Sequence, residues 1–219
     1  MKKMFYRIYQ FGMRLGSYLM PWRKPVLLKG ENVINQLPKT LLYKGYDKLL
    51  IVTDENLVKL GLLDSLLRSL KLADIYYTVF DKTNENPTIT NVEEALLQYK
   101  EKDCNAIIAF GGGSSIDCAK GVAARLARPK KSIQQLKGYI KVRRRTVPII
   151  AIPTTAGSGS ETTIAAVISD TNTNEKFAIS DMALIPTIAV LDPVLTVGLP
   201  KHLTSTTGLD ALTHAIEAY

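Results

Sequence analysis

Cysteine, histidine and tryptophan are scarce in this chain of 219 residues, which holds two, two and one of them. Cys104 and Cys118 show no metal-ligand spacing and are too few for a disulfide framework. A small disulfide-stapled scaffold is thereby excluded, and a reducing, cytoplasmic setting is expected. No apolar run reaches the length of about 18 residues that reads as a membrane-spanning helix. Acid is absent from two stretches: residues 1–30 hold seven Lys/Arg, and residues 118–160 hold ten. The net charge of +8 comes from these stretches, because the rest carries eleven bases against twenty acids. Lys141–Arg145 is the densest basic run. It reads as an anion-binding surface or as a solvated loop. No aromatic residue interleaves with its arginines, so the loop is favoured and nucleic acid is not an expected partner.

What is present is an ordinary globular composition, 46% apolar and 22% charged, enough to bury a real core. In Met1–Trp22, Phe5, Ile8, Phe11, Leu15, Tyr18 and Leu19 recur near helical spacing among basic residues. Arg7, Gln10 and Arg14 interrupt any secretory apolar stretch. Residues 1–25 are therefore read as a basic helical extension. Packing on the body is favoured over a subunit contact, and both over a membrane surface.

From residue 26 the chain alternates short β-rich runs with helical segments. Lys48–Thr53, Ile75–Phe80, Ala106–Phe110, Val147–Ile152 and Ile188–Leu191 read as buried strands. Helices are expected over Leu57–Leu70, Thr90–Lys100 and Ser115–Arg128. Ala165–Ser169 and Lys176–Ser180 flank Asp170–Asn174 as a hairpin, and Pro200–Thr204 reads as a loop. The fold class is α/β. A mostly parallel, doubly wound nucleotide-binding domain, Rossmann-like, is expected over residues 26–200. The start of an all-helical domain, cut off by the end of the chain, is expected over residues 201–219.

Gly111-Gly112-Gly113-Ser114 lies between a strand and a helix. Glycines there let the backbone approach a ligand, and the following helix offers unpaired N–H groups and the positive end of its dipole to an anion such as pyrophosphate. Ser114 and Asp117 also fit a capping box. In the usual dinucleotide fingerprint an acid follows the glycines by about 20 residues. Here the candidate acid, Asp54, precedes them at the end of an earlier strand. It can accept from both ribose hydroxyls and repel a 2′-phosphate, favouring NAD over NADP, or cap the next helix, or both. Pro153–Thr163 is a second polar loop at a strand end, where open α/β sheets bind ligands. In the last segment, Asp210 and His214 stand four apart on one helical face, close enough to share a divalent cation.

Four segments carry a resemblance: Gly111–Asp117 (GGGSSID), Pro153–Thr163 (PTTAGSGSETT), Leu191–Pro200 (LDPVLTVGLP) and Gly208–Tyr219 (GLDALTHAIEAY). In this order they closely resemble the iron-containing (group III) alcohol dehydrogenases, from about Val26 to Tyr219. The resemblance implies an N-terminal NAD(P)-binding domain, a helical metal-binding domain and an active site between them. It places Asp54 at the adenosine ribose and Asn86 near the cofactor. Gly112, Gly113 and Ser114 would hold the pyrophosphate, with Asp117 in the same turn. Thr154, Thr155, Ser158 and Thr163 would line the cofactor cleft. Lys176 would reach a ribose or phosphate, and Leu195, Gly198 and Leu199 would touch the cofactor from the last loop. Asp210 and His214 would be two of four metal ligands.

The implied activity is hydride transfer between a primary alcohol or diol and NAD. The implied ion is Fe²⁺, with Zn²⁺ or another divalent cation also compatible with the donors. The implied partners are a small alcohol or aldehyde and further copies of the same chain. Two histidines in all leave the ligand set incomplete, since His202 is read as exposed and not a ligand. The sequence is therefore expected to be the N-terminal part of a longer enzyme. The alternatives are a truncated, non-catalytic NAD-binding protein and a glycerol-dehydrogenase-like relative.

Overall fold

The computed structural model describes residues 23–218 and, before them, positions 6, 7, 9–12, 14 and 16. Those earlier positions are helical. Tyr6, Tyr9 and Phe11 are exposed, so packing on the body receives no support from the aromatic residues visible there. Phe5, Ile8, Leu15, Tyr18 and Leu19 lie outside the described residues.

Six strands form one all-parallel sheet: β1 (Val26–Lys29), β2 (Lys48–Val52), β3 (Tyr76–Phe80), β4 (Ala106–Gly111), β6 (Ile149–Pro153) and β9 (Ile188–Leu191). Their spatial order is β1-β9-β6-β4-β2-β3. The chain runs from β2 outward to β3, then returns across β2 to lay down β4 on its other side. The direction of winding reverses between β2 and β4, and in such sheets the crevice beyond the carboxyl ends at the reversal receives ligands.

Strand composition explains the double covering. Alternate residues point to opposite faces, yet both sets are apolar. Leu50, Val52, Ile107, Ala109, Ile149 and Ala151 pack on one face with α4 (Ile89–Glu101) and α5 (Gly113–Ala127). Leu49, Ile51, Ile108, Phe110, Ile150 and Val190 pack on the other with α1 (Leu37–Tyr43) and α3 (Asp64–Leu72). A hairpin of β7 (Ala165–Asp170) and β8 (Glu175–Ser180), with the short β5 (Gly138–Tyr139) along β8, makes a second sheet against α5.

Three expectations need correction. The helix expected over Leu57–Leu70 is two, α2 (Glu55–Lys59) and α3, because Gly61 turns the chain at φ 70°. Pro200–Thr204 is not a loop. After α6 (Val194–Val197), helix α7 runs over Lys201–Ala218 from directly behind Pro200, and a proline is well tolerated at such a start. Ser114 and Asp117 form no capping box. Gly112 is the N-cap of α5 and contributes no side-chain cap.

The basic run is a surface loop. Val142 and Arg143 donate their amides to the buried Asp181 carboxylate at 3.0 and 2.9 Å, while Arg143, Arg144 and Arg145 are exposed. Both cysteines are buried free thiols. Burial pushes Cys118 up to about 12 and Cys104 up to about 11, so neither is a poised nucleophile.

Candidate cofactor cleft and metal pair

The carboxyl ends of β2, β4 and β6 open into a cleft of about 1470 Å³, larger than the ordinary range of roughly 300–1000 Å³ for small-molecule sites. Asp54 follows β2. Its extended backbone and a bond from the Leu57 amide to Oδ1 at 3.1 Å make it the N-cap of α2. Asp54 also lines the cleft, so the cap of α2 and the cleft wall share one residue.

At the end of β4, Gly111 takes φ 146°, where a Cβ would stand 2.5 Å from Ser115 Oγ and 3.1 Å from Leu57 Cδ1. This position requires glycine on both conformational and steric grounds. Gly112 and Gly113 face the opposite wall. A Cβ on Gly112 would meet the Thr155 side chain at 3.5 Å, and one on Gly113 would meet Ser158 Cβ at 3.3 Å. The bare backbone keeps that gap open, and the start of the fifteen-residue α5 lines the cleft, where free helix-start amides suit an anion. Ser114 Oγ donates to the Glu85 carbonyl, tying the glycine turn to the loop before α4.

Thr154, Thr155 and Ser158 line the cleft from the loop after β6. Leu195, Gly198 and Leu199 close it from the segment around α6, and Asn86 lines it from the loop before α4. Lys176 lies outside the lining. Its Nζ donates to Asn86 Oδ1 at 2.8 Å, and Asn86 is a residue of the lining.

Two further residues expected at the cofactor, Asp117 and Thr163, lie outside the lining of the cleft. Asp117 is buried within the fold rather than facing the cleft. Its Oδ1 accepts from Ser160 Oγ at 2.7 Å and its Oδ2 from the Val167 amide at 3.0 Å. Burial raises its carboxyl above the usual range, against those two hydrogen bonds and the nearby Lys120 charge. Thr163 is likewise absent from the lining, and its hydroxyl accepts from Lys120 Nζ at 3.0 Å. Lys120 itself was not singled out from sequence. It reads as one more base on a helix, and only its spacing of three from Asp117 hinted at a shared inner face. The acids Glu55, Asp81 and Glu85 of the cleft lining were also missed, having no motif of their own.

On α7, His214 Nε2 stands 3.6 Å from Asp210 Oδ1, both side chains more than half exposed. Asp210 lines the cleft and His214 lies one turn beyond it. Among the described residues no group of three or more His, Cys, Asp or Glu could hold a metal ion. A catalytic ion takes about three protein ligands, so this pair alone is too few for such an ion. The glycine-lined helix start with a carboxylate at the neighbouring strand end, by contrast, fits a dinucleotide.

Comparison with known proteins agrees with this geometry. The family model described as iron-containing alcohol dehydrogenase matches residues 25–193. Alcohol dehydrogenase 4 of Schizosaccharomyces pombe is 40% identical over 192 residues, covering 88% of this chain and 45% of that protein. The NAD-dependent methanol dehydrogenase of Bacillus methanolicus is 38% identical, covering 89% of this chain and 51% of that one. Among solved structures, a 1,3-propanediol oxidoreductase superposes with a TM-score of 0.85 at 37% identity, over 89% of this chain and 51% of that one. The chain spans about half the length of the curated relatives it matches. With the glycine turn, the polar loop and the strand order all in their places, the chain belongs to the iron-containing alcohol dehydrogenase family.

Proposed function

We propose that this chain is the dinucleotide-binding half of an NAD-dependent alcohol dehydrogenase, which moves a hydride between a primary alcohol or diol and nicotinamide. The observation that carries the reading is the glycine-lined start of α5 opening into the cleft beside Asp54. Bound there, NAD supplies the ring carbon that accepts or returns the hydride.

The chain's own residues bind and orient. Asp54 accepts from the ribose hydroxyls and disfavours a 2′-phosphate. The amides of the glycine turn and the dipole of α5 neutralise the pyrophosphate. Thr154, Thr155 and Ser158 offer hydroxyls along the facing wall, and Lys176 fixes the Asn86 amide. Leu195, Leu199 and Leu203 give the cleft an apolar side that excludes water from a flat ring. Asp210 and His214 offer one oxygen and one nitrogen donor to a divalent ion, Fe²⁺ or Zn²⁺, whose remaining ligands must come from elsewhere. Small alcohols or aldehydes as substrates, an assembly of identical subunits and a cytoplasmic setting belong to the same reading. No described helix is long and apolar enough to cross a membrane.

Calorimetric titration with NAD⁺ and NADP⁺ tests the binding half of the proposal. NAD⁺ is expected to bind and NADP⁺ to bind at least about tenfold more weakly, the equivalent of 1.4 kcal/mol. Absence of binding by either nucleotide would overturn it. A second reading, a nucleotide-binding protein without turnover, is favoured by the two-donor count on α7. It requires NAD⁺ binding with no oxidation of any primary alcohol or diol under anaerobic conditions with Fe²⁺ or Zn²⁺ supplied.

A further inference from the structure

We infer that Lys120 is a positioning residue for the cofactor, its buried ammonium clamping the polar loop after β6 to the glycine helix α5 and so fixing the wall of the cleft opposite Gly112 and Gly113. The inference rests on the dinucleotide reading above. Lys120 lies on α5 two turns behind the glycine turn and is fully buried, one of the largest side chains in the core. A lysine in that position is costly unless its charge is matched, and here every N–H has an acceptor. Nζ donates to the Thr163 carbonyl at 2.9 Å, to Thr163 Oγ1 at 3.0 Å and to the Ala165 carbonyl at 2.9 Å, with Ser160 Oγ at 3.5 Å. Ser160 donates its own hydroxyl to Asp117 Oδ1 at 2.7 Å, and Asp117 Oδ2 accepts from the Val167 amide at 3.0 Å.

One acid and one base from a single turn of α5 thus hold five polar atoms on four residues, Ser160, Thr163, Ala165 and Val167. All of these anchors lie beyond the cleft lining, whereas the residues that line it, Thr154, Thr155 and Ser158, belong to the same loop. The loop is fastened at both ends. Thr154 donates its amide to the Gly111 carbonyl at 3.0 Å, and Lys120 with Asp117 holds the far end. Between these points Thr155 and Ser158 stand within contact range of where side chains on Gly112 and Gly113 would be. Nothing else among the described hydrogen bonds fixes that spacing to α5. Burial draws the Lys120 pKa down to about 8 against the attraction of Asp117 and Glu161, so the clamp still carries its charge at neutral pH.

The Lys120→Met variant keeps the volume and removes the clamp. Its affinities for NAD⁺ and for adenosine monophosphate are compared with the wild type by calorimetry, and amide hydrogen exchange is followed along the chain. Adenosine monophosphate reaches Asp54 and the glycine turn but not the far wall. The expected result is NAD⁺ binding weakened about tenfold or more, the scale of a lost hydrogen bond to a charged group. Adenosine monophosphate binding should hold within about twofold, and exchange should quicken in residues 157–166 alone. Unchanged NAD⁺ affinity and exchange would overturn the inference, as would a parallel loss of both nucleotides with faster exchange throughout, which marks a general loss of stability. Should the wild type bind neither nucleotide, the dinucleotide reading falls, and the clamp is judged on exchange in residues 157–166. If Lys120→Met does not fold, Ser160→Ala, which cuts the bridge between Lys120 and Asp117, is put through the same measurements and judged by the same outcomes.

Discussion

A buried lysine sets a sign that can be read in solution. The Lys120 pKa falls from 10.5 to about 8 because burial disfavours its charged form. Between those two values the unfolded chain holds a proton that the folded chain has released, so stability rises with pH across that window. The raised Cys104 and Cys118 thiols act in the opposite direction at higher pH. The difference between wild type and Lys120→Met isolates the lysine. Urea midpoints measured from pH 7 to pH 10 should move in favour of the wild type as pH rises past about 8. Two other single residues have costs of a different kind. Gly111→Ala forces a left-handed backbone and a contact with Ser115, and should destabilise by about 1–3 kcal/mol in denaturant titration. Asp54→Ala removes the cap of α2, at a cost of about 1 kcal/mol, and should also narrow the preference for NAD⁺ over NADP⁺. The motif residues were legible in the sequence because glycine, an isolated acid and clustered hydroxyls at strand ends are unusual. Lys120 was not, because a lone base on a helix looks solvated until the partners of its ammonium are known.

Among the elements, strands were the easiest to read, since continuous apolar runs of Ile, Val, Leu and Ala have few other uses at that length. Helix ends were harder. One capping box that does form is Thr88 with Asn91, whose Oδ1 takes the Thr88 amide at 3.0 Å while the Asn91 amide donates to Thr88 Oγ1 at 3.1 Å. Thr88→Ala should cost about 1 kcal/mol and fray α4, seen as faster amide exchange over its first turn. The break between α2 and α3 rests on one glycine among leucines, where helical spacing alone continues. On α7 the sequence placed Asp210 and His214 on one face, and the structure brings them within 3.6 Å. Two exposed donors predict weak, proton-competed Zn²⁺ binding by this chain in calorimetry, abolished by His214→Ala. Tight binding that survives that substitution would remove the pair from the site.

At the scale of the whole molecule, the sequence indicated an α/β sheet and its parallel sense but not the order of its strands. The return of the chain across β2, and the pairing of β1 with β9 at the far edge, depend on contacts between distant segments that no local pattern encodes. The position of the cleft follows from that order. Leu209, Leu212 and Ile216 form an exposed apolar stripe along α7, and such a stripe favours association. Light scattering of this chain should show species larger than a monomer, and serines at the three positions should reduce them.

Helix α7 meets the body along a narrow line. Of its described residues only Thr207 and Ala211 are partly covered, and the Thr207 carbonyl lies where a side chain on Gly157 would have to be. A methyl group added at Gly157 would act as a wedge with the full length of the helix as its lever. It would tilt Asp210 out of the cleft rim without altering either member of the carboxylate–imidazole pair.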